Sequence, residues 1–368
     1  MHLRKLTLFN FKNIEETNLE FRENVLCFLG KNGSGKTSLL DAIHYLSFTR
    51  SAINLSDAQN VKIGQAQFIV KGQFEIKGKP KEVVCSFQAG QKKIIREDGQ
   101  DCTKFSEHIG RFPVVLIAPQ DIELIWNGGE VRRKFFDTLI SQLDKTYLEN
   151  LIVYSNHLKQ RNSLLRSFSE GGRIDHDLLA SYDQKLIPAG NFISQRRNQF
   201  MQEFLPILQQ QYNFLIDGAK EAVKIEYRTD LSNSNLEGLL KRNLSKDITL
   251  QRTSAGIHRD DFDFIINENE LKKFGSQGQQ KSFLIALKLA EFQIIAEAKG
   301  LKPILLLDDI FDKLDDFRIH QLMVLVSHGK FGQIFITDAR QGRSLQIVNE
   351  ANVKAQFFTV ENGSFAHG

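Results

Sequence analysis

Proline, cysteine and tryptophan are scarce in this chain, at six, three and one among 368 residues. Each shortage narrows the possibilities. Cys27, Cys85 and Cys102 are odd in number and widely spaced, so they offer neither a disulfide framework nor a zinc ligand set, as suits a reducing cytoplasm. Long apolar runs are missing too. Ile304 to Leu307, after Pro303, is among the longest and is far too short to span a bilayer, so no membrane partner is expected. The amino terminus lacks a secretory pattern, because His2, Arg4 and Lys5 alternate with apolar residues rather than preceding a continuous apolar run. Nor does one charge sign dominate. The 48 basic and 44 acidic residues give a net charge of +4, which permits nucleic-acid binding without arguing for it. There is no internal repeat or low-complexity segment. What remains is ordinary globular material, 41% hydrophobic and 25% charged, long enough for two domains with real cores. Its 29 phenylalanines against six tyrosines place most of the aromatic content in those cores.

Hydrophobic spacing gives a coarse layout. Leu3 to Phe11 reads as a strand, and Val25 to Leu29 as a second that runs into a glycine-rich turn. Thr37 to Phe48 has helical spacing, with Leu39, Leu40, Ile43 and Leu46 on one face. Strand-like segments follow from about Gln67 to Arg96, with Glu97-Asp-Gly-Gln100 as a hairpin turn. From about Gly129 to Leu215 the spacing is helical, with a Gly171-Gly172 loop between two long segments; Pro188 and Gly190 disturb the second. These segments predict an antiparallel helical arm, either functional or merely a structural insertion. The α/β pattern returns by Phe262, with helices at Lys281 to Ala298 and Phe317 to Val326. Strands are expected at Ile304 to Leu307, Gln333 to Ile336, Ser344 to Val348 and Phe357 to Val360. The expected organisation is therefore an α/β head from both chain ends, residues 1–125 and 251–368, with an inserted antiparallel helical arm domain at 126–250.

Gly30-Lys31-Asn32-Gly33-Ser34-Gly35-Lys36-Thr37 fits the Walker A pattern, between a strand and a helix as the motif requires. Its glycines let backbone N–H groups wrap phosphates, and the following helix adds donors at its start. Lys36 is expected to neutralise β- and γ-phosphate charge and the Thr37 hydroxyl to ligate magnesium. Leu305-Leu-Leu-Asp-Asp309 is an apolar strand ending in carboxylates, which sets Asp308 beside the metal. Asp309 is placed either to deprotonate the attacking water or only to hold it, since aspartate reaches less far than glutamate. Gly275-Ser276-Gln-Gly278-Gln279-Gln-Lys281 precedes an apolar-periodic helix. It either caps that helix or brings a second phosphate-binding helix start to the nucleotide, which is natural when another subunit supplies it.

The order of these motifs resembles an ABC-type ATPase head and, more specifically, the RecF family of bacterial recombination and gap-repair proteins. The resemblance covers nearly the whole chain. It runs from Leu8-Phe-Asn-Phe-Lys-Asn13 and the P-loop through Ala118-Pro-Gln-Asp121, Arg132-Arg-Lys-Phe-Phe-Asp137 and Leu158-Lys-Gln-Arg-Asn-Ser-Leu-Leu165. It ends with Gly256-Ile-His-Arg-Asp-Asp261, Gly275 to Gln280 and Leu305 to Asp315. It implies that Gln120 is the Q-loop residue sensing γ-phosphate and magnesium. It further implies that Ser276, Gly278 and Gln279 complete the opposite copy's site, and that Asp315 lies at the dimer seam. Members bind ATP with magnesium, dimerise head to tail on DNA, hydrolyse ATP slowly and then dissociate. They work with the RecO and RecR mediator proteins at gapped or duplex DNA, in the cytoplasm and at the nucleoid when DNA-bound. This sequence departs from the pattern in having Ile257 where proline is common. Thr337-Asp338 stands where transporter heads carry a histidine, so that histidine's role does not transfer.

Arg132, Arg133, Lys134, Lys159, Arg161, Arg196 and Arg197, with Arg166 and Arg173, are the candidate DNA contacts on the arm. Basic groups on rigid helices can hold phosphate without reading bases. The arm's own acids, including Asp137 and Asp144, could equally pair with them. His258-Arg-Asp-Asp261 lacks the ligand spacing of an independent metal site and suggests a structural or nucleotide-coupling role for Arg259 and Asp260. Two other functions share these motifs: an ABC transporter ATPase subunit and a non-hydrolysing, nucleotide-dependent DNA scaffold.

Overall fold

The computed structural model describes residues 1–169, 175–216, 221–310, 315–351 and 353–367. Gly171, Gly172, Arg173 and the 311–314 part of the acidic motif lie outside the described residues. The chain divides into two units: Met1–Asp121 with Leu284–Gly368 and a short stretch at Phe214–Asp217, and Ile122–Asn213 with Gly218–Phe283.

The first unit is assembled from both chain ends around two sheets. One is antiparallel, in the order Ile14–Glu20, His2–Phe11, Gln67–Ile76, Lys79–Gln88, Ile94–Glu97 and Gln100–Asp101. The other runs Ser364–His367, Ala355–Glu361, Val25–Leu29, Ile334–Asp338, Ile304–Asp308 and Val114–Ile117, parallel except for the Ala355–His367 hairpin. Val25–Leu29, Ile304–Asp308 and Ile334–Asp338 are buried at every position, which is why they read as unbroken apolar runs rather than alternating ones. The Lys36–Phe48 helix packs against both sheets. Leu39, Leu40, Ile43, Tyr45 and Leu46 share one core with Leu6, Phe68, Leu306 and Phe335. Wholly buried Gln333 joins the sheets by imitating a strand: its Oε1 accepts from the Leu3 N–H at 2.7 Å and its Nε2 donates to the Leu3 carbonyl at 2.9 Å.

One expectation fails in this unit, and one strand is unforeseen. Ser344–Val348 is not a strand but lies within a helix, Gln341–Glu350. Ile334–Asp338 and Ala355–Glu361 flank Val25–Leu29 in parallel, so the chain must cross over between them, and a helix is the usual crossover. Leu345, Ile347 and Val348 fit either element over so short a window. The Ile14–Glu20 strand escaped the sequence reading because it is a mostly polar edge with only Ile14 and Leu19 buried.

The second unit holds the helices Gly129–Leu143, Lys145–Ser169, His176–Leu215 and Leu236–Leu250. Lys145–Ser169 and His176–Leu215 are antiparallel. Leu165 packs with Leu179, Arg161 pairs with Asp183, and Gly190 abuts Tyr154. The disturbance expected at Pro188 and Gly190 does not interrupt the helix; a single 40-residue helix passes through Pro188 and Pro206. Burial of Leu186, Ile193, Phe200 and Phe204 outweighs the missing proline N–H bonds. Gly190 is there for space, since a Cβ would stand 2.4 Å from Leu236 Cδ2.

Residues 251–283 join the arm unit because Asp261–Ile266 pairs antiparallel with Val223–Arg228 and, on its other side, with Asn269–Glu270. Its Phe262 ring lies 4.3 Å from Phe136. The compact units thus change over at 121/122 and 283/284, apart from the short stretch at Phe214–Asp217 that groups with the first.

Candidate functional site

The P-loop leaves the carboxyl end of Val25–Leu29 in a conformation that demands glycine. Gly33 and Gly35 have φ of 79° and 117°, and a Cβ on Gly30 would lie 2.2 Å from the Val360 carbonyl oxygen. Neighbouring strands pin both arms of the loop: Gly30 N–H donates to Asp338 O at 3.2 Å and Gly363 N–H to Ser34 O at 2.7 Å. Lys36 is buried, and its ammonium donates to the carbonyls of Gly30 at 2.7 Å and Lys31 at 3.0 Å. Lys12, Asn13, Asn32, Gly33, Gly35, Lys36, Thr37, Ser38 and Asp309 line a cavity of about 440 Å³. Lys12, Asn13 and Ser38 were not singled out as site residues from sequence. Ser38 Oγ donates to Asn13 Oδ1 at 2.7 Å, while Lys12 pairs with buried Asp41 at 2.5 Å.

Asp308 ends the Ile304–Asp308 strand opposite the first turn of the P-loop helix. Thr37 Oγ1 stands 3.0 Å from both Asp308 oxygens. Two adjacent ligands of an octahedral magnesium ion, each about 2.0–2.1 Å from the metal, are about 2.9 Å apart, so the pair fits that ion. Thr337 orients the acids from the next strand: its hydroxyl donates to Asp308 Oδ1 at 2.7 Å and accepts from the Asp309 N–H at 3.0 Å. Asp309 itself sits at φ 48°, turning the chain so that it borders the cavity.

Gln120 lies exposed on the Pro119–Ile122 turn and is not among the cavity's lining residues. Its strand is in register beside Ile304–Asp308, with Ile117 opposite Leu307. Asp121 anchors the turn. It accepts from the Ala118 N–H at 2.8 Å and meets Lys288 at 3.4 Å, and Lys288 also meets Glu291 at 3.3 Å. Burial works against the Lys288 charge, but these two carboxylates outweigh it and hold the ammonium above the ordinary lysine range.

Ser276 and Gln279 form a reciprocal cap at the start of the Gln277–Lys299 helix. Gln279 N–H donates to Ser276 Oγ at 3.2 Å and Ser276 N–H donates to Gln279 Oε1 at 2.8 Å. Ser276 is exposed, whereas Gly278 and Gln279 are half-buried. Asp315 caps the Asp316–Ser327 helix, accepting from the Arg318 N–H at 2.9 Å.

The arm cations require correction. Arg161 and Arg197, expected on DNA, are 0% and 1% exposed. Arg161 donates to Asp183 and Asp247, each at 2.8 Å. Arg197 chelates Asp137 at 2.9 and 3.0 Å and reaches Asp260 at 3.0 Å. Arg132 forms a two-pronged pair with Asp261, both bonds 2.8 Å, and Arg196 meets Asp144 and Glu203. Arg133 donates to the Asp260 carbonyl and is half-buried. Lys134 and Lys159 do present exposed charge, as does Arg166. Charge spacing along a helix could not separate these groups, because their acidic partners, Glu203 apart, come from other elements.

His258 is structural. Its Nε2–H donates to Thr253 O at 3.0 Å, so Nδ1 accepts from Tyr154 OH at 2.8 Å. Burial lowers its pKa to about 4 and keeps it neutral. Asp260 accepts from Arg197 and from Tyr227 OH, whereas exposed Arg259 borders a separate polar cavity with Arg133 and Arg228.

With this geometry in view, the likeness to known proteins becomes specific. The RecF/RecN/SMC N terminal domain family matches residues 2–364. The DNA replication and repair protein RecF of Flavobacterium johnsoniae is 44% identical over 360 residues, covering 98% of this chain and all of that one. RecF of Cytophaga hutchinsonii is also 44% identical, over 99% of this chain and 96% of its own. A solved structure described as the recombination mediator protein RecF-ATPrS in the RecFOR pathway superposes with a TM-score of 0.88 at 31% identity, covering 100% of this chain and 98% of that one. The Smc head domain of Pyrococcus furiosus, at 15% identity and a TM-score of 0.57, shares the fold alone. The chain belongs to the RecF family of DNA replication and repair proteins, with the ABC-type ATPase head of that class.

Proposed function

We propose that two copies of this chain close head to tail around two ATP molecules and retain DNA until slow hydrolysis releases it. The observation that carries this reading is the incomplete cradle. Among the described residues, the P-loop cavity is lined by Lys12, Asn13, Asn32, Gly33, Gly35, Lys36, Thr37, Ser38 and Asp309, all within the first unit, whereas the helix start at Gly275 to Gln280 belongs to the second. A second copy is the natural source of that helix start. Solved RecF structures with ATP and ATPrS, at 31% identity, support the nucleotide assignment.

Bound magnesium-ATP supplies the transferable γ-phosphoryl group and divalent charge. Lys36 turns its donors from the Gly30 and Lys31 carbonyls to the β- and γ-phosphates. Thr37 and Asp308 would hold magnesium, and Gln120, on the turn after the adjacent strand, would sense it. Asp309 holds the attacking water. Ser276, Gly278 and Gln279 of the second copy donate to the same γ-phosphate, so its loss removes the bridge and favours opening. Lys134 and Lys159 provide sequence-independent phosphate contacts, and the RecO and RecR mediators are the expected protein partners.

The test is self-association and duplex-DNA binding with ATP, with ADP and in Lys36→Ala. ATP should promote both in the parent protein, and the substitution should weaken both. Identical monomeric behaviour under all three conditions would sink the proposal. Turnover of ATP without any change in association would remove the composite site from it.

A further inference from the structure

The signature residue Gln279 is gripped by the arm. Its Nε2 donates to Glu221 Oε1 at 2.7 Å while its Oε1 accepts the Ser276 N–H. Glu221 is itself fixed. Its second carboxylate oxygen accepts from Tyr212 OH at 2.5 Å, and its backbone carbonyl accepts from Gln209 Nε2 at 3.0 Å. Gln209 Oε1 also accepts the Val223 N–H at 2.8 Å, so the backbone is clamped on the far side of Ala222 as well. Gln209 and Tyr212 are three residues apart, on one face of the last turns of the His176–Leu215 helix.

A glutamine amide can turn over, exchanging its donor and acceptor ends. A carboxylate is acceptor-only, so it permits one sense alone: Nε2 toward Glu221 and Oε1 toward Ser276. That sense is the one in which Ser276 and Gln279 cap each other. With the amide reversed, Nε2 would confront the Ser276 N–H and the cap would open.

We propose that Glu221 is a positioning residue of the composite site: through Gln279 it sets Ser276 and the helix start in the form that meets the other copy's γ-phosphate. The inference rests on the two-copy reading above. It also makes the end of the long arm helix part of the nucleotide machinery, because Tyr212 and Gln209 hold Glu221 in turn.

The experiment measures ATP-dependent self-association of the full chain by sedimentation, alongside ATP affinity at concentrations where the chain is monomeric. Glu221→Gln keeps the shape but can present either end of its own amide to Gln279, so it no longer dictates the sense. Association should weaken roughly tenfold per site, the size of losing one charge-assisted hydrogen bond, and up to about a hundredfold in a dimer with two sites. Monomer ATP affinity should match the parent, and thermal unfolding should fall by no more than about 10 °C, leaving the variant folded at the assay temperature. Glu221→Ala should lose at least as much association, and Tyr212→Phe should lose part of it. If the parent associates with ATP and a folded Glu221→Gln variant associates equally well, the positioning role is overturned and the two-copy reading stands. Monomer ATP affinity falling in step with association would also overturn it. A parent that fails to associate with ATP would remove both.

Discussion

Replacing Arg197 with alanine separates a structural cation from a DNA contact. Arg197 is 1% exposed and is held by Asp137, Asp260, the Ile257 carbonyl and the Tyr147 hydroxyl. Truncation leaves Asp260, 2% exposed, and Asp137 without the charge they share. Burial already pushes the Asp260 carboxyl above its ordinary range, and Arg197 opposes that push. Breaking a buried pair from one side costs about 3–5 kcal/mol, a large part of the ~5–15 kcal/mol by which folded proteins are stable. For a unit of this size that is a fall of roughly 6 to 20 °C in Tm. Arg197→Lys should recover only part of it, because one ammonium cannot chelate Asp137 and span to Asp260. The assay is thermal unfolding by circular dichroism, paired with duplex-DNA titration across a salt series. Arg197→Ala should lower Tm and leave the salt slope of the folded fraction intact. Lys134→Ala should leave stability within about 0.5 kcal/mol while lowering that slope by about one. An Arg197→Ala protein that melts within about 2 °C of the parent, or binds DNA with a reduced slope at unchanged stability, would refute the reasoning.

Two further outcomes follow from the described contacts. His258 has a folded pKa lowered by burial to about 4 from 6.5, so the unfolded chain binds the extra proton between those values. Stability is therefore complete above pH 6.5 and declines as pH falls toward 4, by up to about 3 kcal/mol from this group. His44, also lowered to about 4 by burial, adds to the slope, and His258→Gln should remove about one proton from it in urea titrations at stepped pH. An unchanged slope would contradict the buried neutral imidazole. Thr337→Val deletes the hydroxyl that orients Asp308 at 2.7 Å while keeping its volume. The magnesium concentration that half-saturates ATP hydrolysis should rise roughly 10- to 100-fold, the usual effect of losing a group that steadies a metal ligand. An unaltered magnesium requirement would deny Thr337 that role.

What could be read from the sequence was whatever is local. Gly30 to Thr37 carries its geometry in its own spacing, and Leu305 to Asp309 carries its burial in an unbroken apolar run. The helical arm showed in its spacing too, although Pro188 concealed its continuity, because packing and not propensity holds that helix together. Arg161 and Arg197 resembled exposed cations because Asp183, Asp247 and Asp260 reach them only after folding. The same holds for Asp261–Ile266, which joins the arm unit through pairing with Val223–Arg228, a strand that spacing did not reveal. Glu221 is the extreme case: nothing near it in sequence announces a link to Gln279, 58 residues away.

The strand that carries the P-loop also has a history during synthesis. Among the described residues, Val25–Leu29 pairs with Ile334–Asp338 and Ala355–Glu361 alone. At about 5–20 residues per second, roughly 15 to 60 seconds separate its emergence from that of its first partner. Throughout that interval the whole Walker sequence exists and its cradle does not, because the Asp338 and Gly363 backbone groups that pin the loop have not been made. A nascent chain or a fragment cut near residue 330 therefore carries the motif without the backbone partners that shape it, and is expected to bind nucleotide only once those strands have been added.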